Sequence, residues 1–151
     1  MALLVDLDGT LCDDAHRRHH LQTRDFEAYH AACHLDPPHE LTLRLVKEYR
    51  GEVYIATGRY SSLREVTLGW LRKHGVVPAG MYMRKRGDYR SNAQLKLEAA
   101  QHFGLLPAQG FVLAIDDNPS ARAILAQHGI PAVPPPHMYL EGGENADSHG
   151  A

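Results

Sequence analysis

The sequence predicts an α/β fold around a parallel sheet, and three observations carry that expectation. Short apolar blocks alternate with stretches of helical periodicity. Acidic residues follow the first and last strong blocks directly, as Asp6 and Asp8 and as Asp116 and Asp117. The 151 residues, 44% hydrophobic and 23% charged, have the size and balance of one globular domain. A chain of this length buries roughly 68–70% of its unfolded surface, so a substantial core is expected.

The elements follow in order. Residues 2–6 read as a buried strand that ends before Gly9. A helix is expected over 24–34, and Asp36-Pro37-Pro38 then breaks the chain. Residues 40–49 carry Leu41, Leu43, Leu45 and Val46 on a helix that Gly51 would cap. A second strand spans 52–57 and turns at Gly58. The next helix, 61–74, turns Leu63, Val66, Leu68, Trp70 and Leu71 toward the core and stops at Gly75. A short strand at 81–84, a helix at 92–103 and a buried strand at 111–116 come next, with Trp70 and Phe111 assigned to the core. A helix at 119–128 has proline in its first turn, and 131–133 read as an edge strand. The folded unit is thus expected over 1–133, with 11–38 as an insert. The tail, 134–151, begins with three prolines and is expected to lie over the surface or fray.

No apolar run approaches the roughly 18 residues needed to cross a bilayer, and no secretory pattern opens the chain. Cys12 and Cys33 suit two free thiols in a reducing compartment, so a cytoplasmic protein without a membrane partner is expected. The net charge of −2 conceals a pattern. Residues 41–100 carry twelve Lys or Arg against five Asp or Glu, between two acidic ends. Eleven histidines would make the chain cationic in mild acid. A near-neutral total therefore does not exclude an anionic substrate.

In open parallel sheets, ligands bind beyond the carboxyl ends of the strands. Three such ends bring Asp6-Leu7-Asp8-Gly9-Thr10, Thr57-Gly58-Arg59 and Asp116-Asp117-Asn118 into one place. Four carboxylates crowded together raise one another's pKa, and a hard divalent cation relieves that cost; oxygen donors of this kind favour Mg²⁺. Taken singly, each motif also reads as a turn or a helix cap.

Together with Lys96, these motifs give the chain its resemblance to the haloacid dehalogenase superfamily. The four motifs stand in order as Leu4-Val5-Asp6-Leu7-Asp8-Gly9-Thr10-Leu11, Ile55-Ala56-Thr57-Gly58-Arg59, Lys96 and Ala114-Ile115-Asp116-Asp117. The resemblance implies a three-layer α/β/α Rossmann-like fold with a small or absent cap. It implies that Asp6 attacks phosphorus as nucleophile and that Asp8 serves as acid and base. Thr57 and Lys96 would hold the phosphoryl group and offset its charge. Mg²⁺ would sit on Asp6, the backbone carbonyl of Asp8 and motif four, with the direct ligand among Asp116 and Asp117 left open. An acid at position 8 points to a phosphatase or phosphotransferase rather than a dehalogenase or transport ATPase.

A narrower resemblance lies in Arg84-Lys85-Arg86-Gly87-Asp88-Tyr89-Arg90 ahead of Lys96, which looks like the phosphatase domain of bacteriophage polynucleotide kinase/3′-phosphatase. It implies substrate contacts at Thr10, Thr57, Gly58, Arg59, Arg84, Asp88 and Arg90. The expected activity is a Mg²⁺-dependent phosphomonoesterase removing 3′-phosphate from DNA or RNA ends. The alternative is a small-molecule phosphatase acting on nucleotides or sugar phosphates. No Gly-x-x-x-x-Gly-Lys-Ser/Thr loop is present, so a kinase or ligase would be a separate partner. Oligomeric state stays open.

The insert is too short for a large lid. Its histidines, with His30 and His34 four apart, admit a zinc reading. The favoured reading makes Asp13-Asp14 and Arg17-Arg18-His19-His20 a polar flap over the phosphate, with His16 or Arg17 reaching the leaving group. For Tyr60, Tyr82 and Tyr89, ordinary packing is favoured over stacking on a base.

Overall fold

The computed structural model describes residues 1–140. Five strands, β1 (Ala2–Val5), β2 (Glu52–Tyr60), β3 (Gly80–Arg84), β4 (Val112–Ile115) and β5 (Ala132–Val133), form one sheet in the order β3-β2-β1-β4-β5. Every pairing is parallel. The helices are α1 (His19–Gln22), α2 (Phe26–Ala31), α3 (Glu40–Glu48), α4 (Arg64–Lys73), α5 (Asn92–His102), α6 (Pro119–Gln127) and α7 (Pro136–Leu140). None is long and apolar enough to cross a membrane.

Side-chain alternation along β1 creates the layers. Leu3 and Val5 pack with Leu43 and Val46 of α3 and with Trp70 and Leu71 of α4. Ala2 and Leu4 face the other way, onto Ala99 and Ala100 of α5 and Leu125 of α6. A period of two residues thus gives the sheet two apolar faces, each covered by helices, which is the three-layer α/β Rossmann-like arrangement. The chain builds outward from β1 to β3, then crosses back to place β4 on the opposite side of β1. The reversal opens a crevice at the carboxyl ends of β1 and β4, where Asp6 and Asp116 follow immediately.

Several elements differ from the sequence expectation. The helix expected over 24–34 is only Phe26–Ala31, because Arg24 has a φ of +56° and Asp25 caps the start by accepting from the Ala28 N–H. A single tighter turn, Cys33–Leu35, follows it. Gly51 does not cap α3, whose end is extended at Tyr49. It is glycine because a Cβ there would lie 2.5 Å from the Met1 carbonyl oxygen. Gly75 does end α4, at a φ of +77°. Leu41, Leu45 and Val66 face solvent, and Thr42 and Thr67 take buried places on α3 and α4. Trp70 is core, but Phe111 is 53% exposed because it precedes the paired part of β4. In the expected tail, residues 136–140 form α7, which packs on α3 and buries Met138. The remainder, 141–151, lies outside the described residues.

The insert leaves and returns through a short stem. Cys12 bridges to Asp8 on one side and Pro38 on the other, and the His39 and Asp13 N–H groups donate to the carbonyls of Leu11 and Pro37. Trp70 Nε1 donates to the Asp36 carbonyl at 2.8 Å, fastening the end of the insert to α4.

Candidate active site

Three strand ends and one helix assemble the site. Asp6 follows β1, and its backbone N–H donates to the carbonyl of Ile115 at the end of β4. Lys96, from the first turns of α5, places Nζ 2.6 Å from Asp6 Oδ1 and 2.7 Å from Asp116 Oδ2. Ser91 starts that helix by accepting from the Gln94 N–H, which fixes where Lys96 emerges. Thr10 lies behind the pair: its hydroxyl is 3.0 Å from Asp6 Oδ2 and 3.2 Å from Asp117 Oδ1, and it accepts from the Asp117 N–H at 3.0 Å. Asn118 caps α6 through the Ser120 and Ala121 N–H groups and leaves Asp116 and Asp117 at the strand end.

Asp6, Asp116 and Asp117 each bring a carboxylate oxygen within 4.8 Å of the others. Burial and then the neighbouring Asp116 push the Asp6 carboxyl above its usual range, although Lys96 pulls the other way. Burial, followed by Asp6 and Asp116, raises Asp117 in the same direction. One lysine does not balance three carboxylates, and a set of oxygen donors this crowded fits a hard divalent cation. The other acidic cluster, Asp8, Cys12 and Asp36, is neutralised by two guanidiniums. The histidines of the insert join no such cluster among the described residues. His30 instead packs edge-on against Tyr29 and Tyr60, and burial lowers its pKa to about 4.

Asp8 is held from behind. Arg59 donates Nη2 to Asp8 Oδ1 at 2.7 Å, and Arg17 donates Nη2 to the same oxygen at 2.5 Å. Asp36 lies between them, 2.6 Å from Arg17 Nη2 and 3.4 Å from Arg59 Nη2, and its other oxygen takes His16 Nε2 at 2.7 Å. Arg17 is 1% exposed, with its guanidinium carbon 4.2 Å from the centre of the Tyr29 ring. Tyr29 donates to Asp14, which also pairs with Arg18. The polar flap expected over the phosphate is therefore corrected at Asp14 and Arg17, which are buried, whereas Arg18 and His19 are exposed. Asp14 and Arg17 form a buried lattice beneath Asp8, because two arginines placed there need interior counter-charges. Sequence reading missed Asp36. The signal was an acidic residue set against two prolines in a segment that also holds Arg17.

The remaining expected residues divide by place. Arg84 donates Nη1 to the carbonyls of Asp88 and Arg90 and Nη2 to Asn92 Oδ1 at 2.7 Å, so it braces the loop 85–91 from within. Arg90 forks onto Asp88 and also pairs with Glu98, and this fork holds Asp88 well below the usual carboxylate range. The Thr57-Gly58-Arg59 segment is not a turn but the continuation of β2, with a shift of register between Thr57 and Tyr60. Thr57 is fully buried and accepts from the Arg59 N–H at 3.1 Å. A pocket of about 230 Å³ gathers Asp6, Asp8, Gly58, Arg84, Asp88, Arg90, Lys96, Asp116 and Asp117 along its wall. Thr10, Thr57 and Arg59 stand behind that wall.

A buried carboxylate beside a lysine, a second acid two residues on and a pair of acidic residues at a sheet switch point make the arrangement of a haloacid dehalogenase-superfamily phosphatase. Residues 1–131 match the model of the polynucleotide kinase PNKP phosphatase domain, and the chain belongs to that family. No curated protein matches it. Among solved structures, a Pnkp1/Rnl/Hen1 complex is similar at 27% identity and a TM-score of 0.64, over 88% of this chain and 44% of that one. A Pnkp1/Rnl/Hen1 RNA repair complex is similar at 23% identity and a TM-score of 0.63, over 89% of this chain and 42% of that one. This chain thus spans less than half the length of both. A haloacid dehalogenase-like hydrolase from Streptococcus pneumoniae shares the fold at 16% identity and a TM-score of 0.63, covering 87% of this chain and 82% of that one.

Proposed function

We propose that this phosphatase is Mg²⁺-dependent and removes 3′-phosphate from DNA or RNA ends. The observation that carries the reading is the Arg84–Asp88–Arg90 loop bordering the same pocket as Asp6 and Lys96, in a chain of the PNKP phosphatase family. Asp6 attacks phosphorus and forms an aspartyl-phosphate, while the ester oxygen leaves with a proton from Asp8. Asp8 then takes a proton from water, and the hydroxide so formed cleaves the acyl-phosphate and restores Asp6. Lys96 offsets negative charge on Asp6 and on the phosphoryl oxygens. Mg²⁺, held by Asp6, Asp116 and Asp117 with the Asp8 carbonyl, would supply positive charge to the phosphoryl group. Arg17 and Arg59 keep Asp8 in one orientation, and Arg84 keeps the loop in place.

The likeness to Pnkp1/Rnl/Hen1 complexes supports work beside a separate polynucleotide kinase or ligase. Two buried free thiols support a reducing, cytoplasmic setting. The test is phosphate release with and without Mg²⁺ from 3′-phosphorylated DNA, 3′-phosphorylated RNA and a panel of nucleotides and sugar phosphates. Release from the oligonucleotides is expected, with at least a thousandfold loss in Asp6→Asn and full loss on chelation. Turnover of the small phosphates alone would assign the site to small-molecule hydrolysis.

A further inference from the structure

Two aromatic side chains at the exposed end of the pocket take no part in the chemistry above. Phe26 opens α2 in the insert and is 46% exposed; Tyr89, in the loop after β3, is 91% exposed. Both line the pocket that holds Asp6 and Lys96. A large aromatic ring beside a charged pocket offers a flat apolar face for a ligand to cover.

Neither ring hangs on a loose backbone. Arg84 Nη1 bonds the carbonyls of Asp88 and Arg90, the residues on either side of Tyr89, and Gly87 makes the turn before it at a φ of +86°. Phe26 directly follows the capping Asp25, whose carboxylate accepts from the Ala28 N–H at 3.0 Å. The fold therefore presents two aromatic faces from fixed positions on separate elements. Space is also available. A site for one water needs about 10–15 Å³ of such volume, so 230 Å³ accepts a group much larger than phosphoryl. With phosphorus fixed at the buried Asp6 and Lys96, the group that bears the phosphate must emerge past the exposed end.

We propose that Phe26 and Tyr89 receive the terminal nucleobase, so that the site selects a phosphate carried on a nucleoside over one carried on a sugar or polyol. This rests on the polynucleotide reading and names the part of the substrate that reading leaves open. A nucleobase offers a flat π-face of any sequence, which suits stacking without base-edge readout. A sugar phosphate would leave both rings wet.

The test compares a 3′-phosphorylated oligonucleotide with the same strand whose last nucleotide is abasic, in the presence of Mg²⁺. Wild type is expected to show a KM about tenfold higher for the abasic strand. Tyr89→Ala and Phe26→Ala should each raise KM for the intact strand by about the same factor with kcat within about twofold. Neither should alter KM for the abasic strand, and Tyr89→Trp should keep the wild-type value. Thermal melting checks that Phe26→Ala is folded, and Tyr89, 91% exposed, is no part of the core. Equal wild-type KM values on the two strands, or unchanged KM in both alanine variants, would overturn the stacking proposal alone. Release from neither strand would overturn the polynucleotide reading with it.

Discussion

Asp36 shows how much of the site is carried by a residue that never reaches the pocket. It is 3% exposed and accepts from Arg17 Nε at 2.8 Å, besides its contacts to Arg17 Nη2, Arg59 and His16. Two buried guanidiniums are balanced by two carboxylates, Asp8 and Asp36. Replacing one of them leaves a buried positive charge without its partner, which typically costs about 3–5 kcal/mol. Asp36→Asn keeps the size of the side chain and removes the charge. It is expected to lower the unfolding free energy by about that amount in urea titration and to reduce kcat more than it raises KM, since it is Asp8 that loses its support. Unchanged stability would mean that another group balances the two arginines. Asp6, Asp8, Lys96 and the Asp116-Asp117 pair were legible because each belongs to a short local pattern tied to a strand end or to the third motif. Asp36 and its pairing with Arg17 were not, because the two stand 19 residues apart in the insert and no local spacing ties them together.

At the scale of elements, the reach of β2 through Thr57-Gly58-Arg59 decides how the basic loop meets the pocket. Glycine signals a turn in sequence, but here the requirement is proximity: a Cβ on Gly58 would lie 2.7 Å from Asn92 Oδ1. That oxygen is held by Arg84 Nη2, and Asn92 is the first residue of α5, the helix that carries Lys96. A methyl group therefore presses on the joint between the loop and the helix. Gly58→Ala is expected to cost about 1–3 kcal/mol and to lower kcat/KM by roughly tenfold or more, read by thermal melting and phosphate release. Wild-type kcat/KM in this variant would show that Arg84 does not need Asn92 to brace the loop. The strands and long helices were legible from periodicity to within a few residues. Phe111 and the helix of 136–140 were not: one depends on where pairing with β1 begins, the other on an apolar surface supplied by α3.

For the whole molecule, the division of charge read from sequence becomes a coupling between metal, protons and stability. The acidic ends of β1 and β4 meet in the interior, and Asp6 and Asp117 have folded pKa values raised above the ordinary 3.8. For such a pair the metal-free folded state retains protons that the unfolded chain has already released. Their destabilising effect is absent below about pH 4 and grows as pH rises through the raised values. His30 works against acid: its folded pKa of about 4 lies below the ordinary 6.5, so the stability it contributes above that value is lost as pH falls from there toward 4. A cation bound by the three carboxylates must displace the retained protons, so it binds more weakly in acid. At a hundredfold excess over its dissociation constant, a ligand adds about 2.7 kcal/mol, or roughly 5–10 °C in melting temperature for a domain of this size. Mg²⁺ is therefore expected to raise the melting temperature by that much at pH 8 and by much less at pH 5. Asp117→Asn should remove most of the Mg²⁺ shift and, without metal, should melt higher than wild type at pH 8. An equal Mg²⁺ shift at both pH values, or a full shift in Asp117→Asn, would place the cation elsewhere than on the three carboxylates.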